Sequence, residues 1–153
     1  MSEPINAQRD RHRIRVERQL GIPVSKYTAS PREYGYRARV DLTRGRDGSL
    51  GFRATKTHDN VAIHHCPVAR DEINTVLKAL PKAPPAVDRL ALRSNGAEVV
   101  LHALCKDKYR PSVRTWLEEL KDLNIPLALN GRGFIGDPTT HLTVAGIKHR
   151  LSP

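Results

Sequence analysis

Five side chains able to bind a metal or attack an electrophile fall in two short stretches. His64, His65 and Cys66 lie in AIHHCPVARDEI, residues 62–73, and His102 and Cys105 lie in LHALC. Imidazole and thiolate suit zinc, which takes four converging N or S ligands. Neighbouring strand residues point to opposite faces, so at most two of His64, His65 and Cys66 can converge, and His102 with Cys105 meets a similar obstacle. A Cys/His nucleophile needs an orienting acid, and none lies nearby in sequence. Ligand cluster, catalytic group and plain strand end therefore stay open for residues 64–66. NGRGFIG, with Gly131, Gly133 and Gly136, formally matches a G-x-G-x-x-G dinucleotide or S-adenosylmethionine loop. Such a loop must open a helix, with a ribose-binding acid about 20 residues on. Pro138 and the strand-like DPTTHLTVAG follow instead, so a glycine-rich turn is expected.

The arginines offer a different chemistry. The net charge is +10 and the sequence pI about 10.1, a balance that favours a polyanionic partner, most commonly nucleic acid. The excess is uneven: residues 1–58 hold 13 Lys+Arg against 6 Asp+Glu, and residues 59–153 hold 13 against 10. Arg9, Arg11, Arg13, Arg15 and Arg18 crowd one short segment, Arg37 and Arg39 share the polar side of a candidate strand, and Arg53 lies across the next hairpin. A planar guanidinium fork suits phosphate better than an ammonium point charge. Phosphate contact and a solvated basic surface are the two readings of these residues.

The elements that must position these groups follow from pattern. Residues 5–20 predict a basic helix without a clean apolar stripe, capped by Gly21 with Pro23 beyond. YRARVDLT, residues 36–43, alternates as a half-buried strand, and Asp47-Gly48 turns it into a second strand around residues 49–53. NVAIHH predicts a short third strand. Ile73, Val76, Leu77 and Leu80 form the stripe of an amphipathic helix, with Asp71 and Glu72 in its first turn. PKAPPAV is expected to be a stiff surface connector. A hairpin turning at Asn95-Gly96, a helix carrying Val113, Trp116, Leu117 and Leu120 and stopping at Asn124, and the strands PLALN, HLTVAG and IKHRL complete the chain. Hairpins alternating with helices imply an α+β fold, an antiparallel or mixed sheet with helices on one face. The expected organisation is a basic helix and connector over 1–30 and a single α+β domain over 31–153.

Length and composition fit a soluble globular domain. No apolar run approaches the roughly 20 residues that cross a bilayer, and the N-terminus lacks a secretory h-region. Two cysteines fit a reducing cytosol, so a cytoplasmic location is expected.

Residues 32–80 resemble the central domain of the RNA uracil-5-methyltransferases of the TrmA/RlmD type. The matching features are Tyr36-Arg37-Ala38-Arg39, the strand Leu50-Gly51-Phe52-Arg53, and the turn Cys66-Pro67-Val68 before a helix. AQRDRHRIRVERQLG resembles the helix that precedes this domain, and THLTVAGIKHRLSP the segment that ends in Ser-Pro before the catalytic domain. Family members transfer a methyl group from S-adenosylmethionine to C5 of a uracil, using a cysteine nucleophile and a carboxylate base in a Rossmann-like domain. That domain would begin at Ser152-Pro153, and the family's N-terminal β-barrel module has no counterpart here. Some members bind an iron–sulfur cluster. Cys66 matches its fourth ligand, whereas residues 1–65 contain no cysteine to supply the other three.

The resemblance implies an RNA-binding domain without its own catalytic machinery or cofactor, acting on tRNA or rRNA. Arg9, Arg11, Arg13, Arg15, Arg18, Arg37, Arg39 and Arg53 would contact phosphates, and few exposed aromatics are expected for base stacking. Two other expectations accompany it: one part of a split methyltransferase working with a separate catalytic chain, and a decayed remnant or protein-interaction module.

Overall fold

The computed structural model describes residues 5–26, 32–55, 57, 59–144 and 146–151. The chain divides into two compact units, Met1–Glu33 and Tyr34–Pro153.

The first unit is built on helix α1, Ile5–Leu20. Gly21 ends it in the left-handed region at φ 68°, donating its N–H to the Glu17 carbonyl at 2.9 Å. Glu17 also accepts from the Val24 N–H at 3.1 Å and lies 4.0 Å from Arg13. Ile14 and Leu20 stay exposed, in keeping with a helix that has no apolar stripe to bury.

The second unit is α+β. Strands β1 (Arg39–Arg44), β2 (Leu50–Arg53) and β3 (Asn60–Ala62) form a meander, followed by helix α2, Asp71–Ala79. Next come β4 (Arg89–Ser94), β5 (Val99–Leu104), α3 (Arg110–Glu119), β6 (Leu127–Leu129) and β7 (Arg132–Ile135). These strands make one mixed sheet in the order β3-β2-β1-β4-β5-β6-β7, in which β5 and β6 are the parallel pair joined through α3. A separate two-stranded sheet, β8 (Thr140–Val144) with β9 (Ile147–Leu151), ends the unit. Among the described residues no helix is long and apolar enough to cross a membrane.

Register decides which residues share a face, because directly paired residues point the same way. Val40, Leu92, Leu101 and Leu127 form one row across four strands, and Leu42, Leu90, Ala103 and Leu129 the next. Both rows are buried in a core that also takes Ile73, Val76 and Leu77 of α2 and Val113, Trp116 and Leu117 of α3. Helices therefore cover one side of the sheet, as the alternation of hairpins and helices implies.

Three expectations are corrected. The first strand begins at Arg39, not Tyr36. Upstream of it the backbone pairs with the turn after Cys66 instead, through a parallel bridge between Arg37 and Ala69. The connector PKAPPAV is held in place, as a stiff segment would be, but it lies only partly at the surface. Trp116 Nε1 donates to the Lys82 carbonyl at 3.1 Å, the Ala83 N–H to Gly48 at 2.8 Å, and Ala83, Ala86 and Val87 are buried. NGRGFIG is a hairpin containing a strand, not only a turn. Asn130 (φ 48°) and Gly131 (φ 80°) supply the paired positive φ angles of a tight two-residue turn, and β7 follows at once. A Cβ on Gly133 would stand 2.9 Å from Pro138 Cδ, so this glycine serves chain packing.

Candidate nucleic-acid interface

The sheet face opposite the helices carries a group of arginines. Arg39 pairs with Arg93 and Thr43 with Arg89, which places Arg39, Arg89 and Arg93 on that face. Thr43 also pairs with Gly51, and Arg53 lies two residues further along β2 on the same side. Four arginines thus spread over three adjacent strands, β2, β1 and β4. Arg39 and Arg89 keep about half of their side-chain surface exposed and Arg53 is exposed, while Arg93 is partly buried.

Asp41 is the carboxylate between them. Arg39 reaches it through Nε at 2.8 Å and Nη2 at 3.0 Å, and Arg89 Nη2 lies 3.1 Å from it. Burial would raise the Asp41 pKa, but hydrogen bonds and charge from Arg39 and Arg89 outweigh this and hold it below the ordinary carboxylate range. The acid ties two guanidinium groups to the strands while about half of each side chain stays exposed. Alone, so exposed a cluster adds little to stability.

His102 belongs to the same face, in the row Asp41, Ala91, His102, Ala128. It is buried, and its Nε2 accepts the Gly131 N–H at 2.7 Å, which places the neutral ring's proton on Nδ1. Burial, then the charges of Arg93 and Arg39, hold its pKa below the usual histidine value. A folded-state pKa depressed below the unfolded value of 6.5 means the unfolded chain binds the extra proton first. Stability is then complete above about pH 6.5 and falls as the pH drops below it. Urea unfolding from about pH 7.5 to 5 should show this loss in the parent chain and a flatter profile in His102→Gln. Superimposable profiles would refute it.

The cysteine and histidine candidates are not brought together. His64 and His65 are exposed beyond the end of β3, as a plain strand end would be. Cys66 is buried in the core, its backbone N–H held by Asn74 Oδ1 at 2.8 Å and its carbonyl by Asn74 Nδ2 at 3.1 Å. Cys105 is held in the same manner by Asn130, at 3.0 and 2.9 Å, and burial pushes its thiol pKa up. Among the described residues no group of three or more His, Cys, Asp or Glu could hold a metal ion. Cys66 is thus a buried core residue, and Gly131 opens a hairpin rather than a helix.

Of the predicted phosphate contacts, Arg39 and Arg53 share the basic face. Arg37 is exposed at the bridge to Ala69, outside β1. Arg11, Arg15 and Arg18 line one side of α1 with Ile14 and Gln19, and Arg9 and Arg13 lie elsewhere on that helix, in the other unit. Arg89 and Arg93 were missed. The alternation of Arg89, Ala91 and Arg93 against Leu90 and Leu92 in DRLALRS was the available signal.

An α+β unit with helices on one side of a mixed sheet and arginines on the other is the class this architecture defines. No family model matches the chain. It is 35% identical to the 23S rRNA (uracil(1939)-C(5))-methyltransferase RlmD of Yersinia enterocolitica, over 47% of this chain and 19% of the relative. It is 34% identical to the protein of the same name from Photorhabdus laumondii, over 58% and 24%. An uncharacterized RNA methyltransferase of Treponema denticola is 31% identical over 49% and 19%. The crystal structure of Pyrococcus abyssi tRNA (uracil-54, C5)-methyltransferase with S-adenosyl-L-homocysteine superimposes with a TM-score of 0.67. That match covers 97% of this chain and 43% of that one at 21% identity, which shows a shared fold. The chain is related to the RNA uracil-5-methyltransferases of the TrmA/RlmD type and resembles their central domain. It spans about a fifth to a quarter of the length of the curated relatives it matches.

Proposed function

We propose that this chain is an RNA-binding module whose arginine-bearing sheet face contacts the phosphate backbone. The observation that carries the reading is the convergence of Arg39, Arg53, Arg89 and Arg93 on one face of β2, β1 and β4. Relatives named for methylating rRNA support RNA as the polyanion. Phosphate contacts position an RNA without reading its sequence, so selectivity from this face alone is weak. The arginines of α1 offer a second basic surface.

Binding of this kind releases counterions, so log affinity falls with log salt by about 0.7–0.9 per phosphate neutralised. In a filter-binding titration with a structured tRNA or rRNA fragment, the parent chain should bind at low salt and weaken steeply as salt is added. Arg53→Glu combined with Arg89→Glu should lower the affinity by about tenfold or more and flatten the salt slope by roughly two contacts. Absence of affinity at low salt, or affinity indifferent to salt, would remove this reading.

A further inference from the structure

We propose that Tyr34 and Tyr36 form a stacking platform for the bases of single-stranded RNA beside the arginine face, an inference that rests on the RNA-binding reading above. The sequence led to the expectation of few exposed aromatics, but Tyr34 is 61% and Tyr36 46% exposed. The other described aromatic rings are engaged. Trp116 is in the core, Phe52 packs against it, Phe134 lies under the Arg114 guanidinium at 5.1 Å, and Tyr109 lies under the Lys108 ammonium at 4.8 Å. Among the described residues no hydrogen bond or ring contact occupies either Tyr34 or Tyr36.

Their backbone is nevertheless fixed. The Gly35 N–H donates to the Pro67 carbonyl at 3.0 Å, the Arg37 N–H to Val68 at 2.7 Å, and the Arg70 N–H to the Arg37 carbonyl at 3.1 Å. Gly35 itself adopts φ 63°, a left-handed conformation that glycine takes without strain. Two large rings are thus held in solvent by a segment that has already lost its backbone freedom, which lowers the entropic cost of binding. The two Cα atoms are no more than about 7 Å apart along the chain, so adjacent bases of one strand can reach both rings. Arg37 and Arg39 follow directly, and both are exposed. Aromatic rings for bases with cations for the backbone is the chemistry of single-strand recognition. Base-paired RNA keeps its bases stacked on one another and offers these rings nothing comparable.

The test compares a labelled oligouridylate with an RNA duplex of equal length, both titrated against the full chain at one salt concentration. Tyr34→Ala and Tyr36→Ala should each weaken oligouridylate binding by roughly 5- to 150-fold while leaving the duplex affinity and the salt slope unchanged. Tyr→Phe at either position keeps the ring and should stay within about threefold of the parent. Arg53→Glu with Arg89→Glu should weaken both RNAs. If the parent binds oligouridylate and the double alanine variant binds it equally well, the stacking platform is refuted. A parent that binds neither RNA would refute the RNA-binding reading itself.

Discussion

Gly51→Ala is expected to detach β3 from the sheet and to cost about 3 kcal/mol or more of stability. A Cβ built on Gly51 would stand 1.9 Å from the Val61 carbonyl oxygen, 2.6 Å from its carbon and 2.9 Å from the Ala62 Cα. All three are backbone atoms, so no side-chain rotation relieves the overlap. The pairings of Gly51 with Ala62, Phe52 with Val61 and Arg53 with Asn60 would have to open. Urea unfolding should show the loss, and hydrogen exchange should quicken at Phe52 and Ile63, whose N–H donates to the Leu50 carbonyl at 3.1 Å. A variant within about 1 kcal/mol of the parent would mean that β3 can shift sideways without leaving the sheet. Arg53 sits at the end of the same ladder, so RNA affinity should fall along with stability.

Asn74→Ala is expected to cost about 2–4 kcal/mol, because one buried amide holds three backbone groups. Its Oδ1 accepts the Cys66 N–H at 2.8 Å, and its Nδ2 donates to the carbonyls of Cys66 at 3.1 Å and Ala69 at 3.2 Å. The Cys66 carbonyl keeps a second donor in the Ala69 N–H at 3.0 Å. The Cys66 N–H loses its acceptor, and an unpaired buried donor carries the larger penalty. The turn over residues 66–69 also anchors Gly35 and Arg37, so the variant should loosen the tyrosine segment as well as the core. Chemical denaturation gives the stability change, and faster exchange at Arg37 reports the loosening. A cost below about 1 kcal/mol would show that the turn is held by its other contacts.

The fold was legible where one physical rule dominated. Ile73, Val76, Leu77 and Leu80 marked α2 because a helix burying one side must repeat its apolar residues at that spacing. Asp47-Gly48 and Asn95-Gly96 marked hairpins because positive φ is cheap at glycine, and Gly48 (87°) and Gly96 (100°) adopt it. Asn130-Gly131 carried the same signal within a stretch expected to be a glycine-rich turn, and a tight turn forms there, though the strand that follows it left no separate trace. The start of β1 was misjudged because alternation reports which residues could line a strand. It does not report which backbone they pair with, and residues 35–37 pair with the turn after Cys66.

The candidate site was legible only in part for a related reason. Arg37, Arg39 and Arg53 stood out as a local concentration of charge. Arg89 and Arg93 joined them through β1–β4 pairing, a long-range contact that no local window contains. The roles of Asn74 and Asn130 were equally hidden, since a buried amide closing a distant turn leaves no periodic trace in sequence.

The pairing of β1 with β4 also constrains how this chain comes to be folded. During synthesis β1, β2, β3 and α2 all emerge before β4 does, and until then one edge of β1 has no partner. Leu42 and Val40, which end up buried in the core beside the β4 leucines, must wait with it. Closing so long a loop is entropically slow, and it is the step on which both halves of the sheet depend. A nascent chain halted before Arg89 would therefore expose an open strand edge and an unfinished core, the combination most prone to pair with a neighbour.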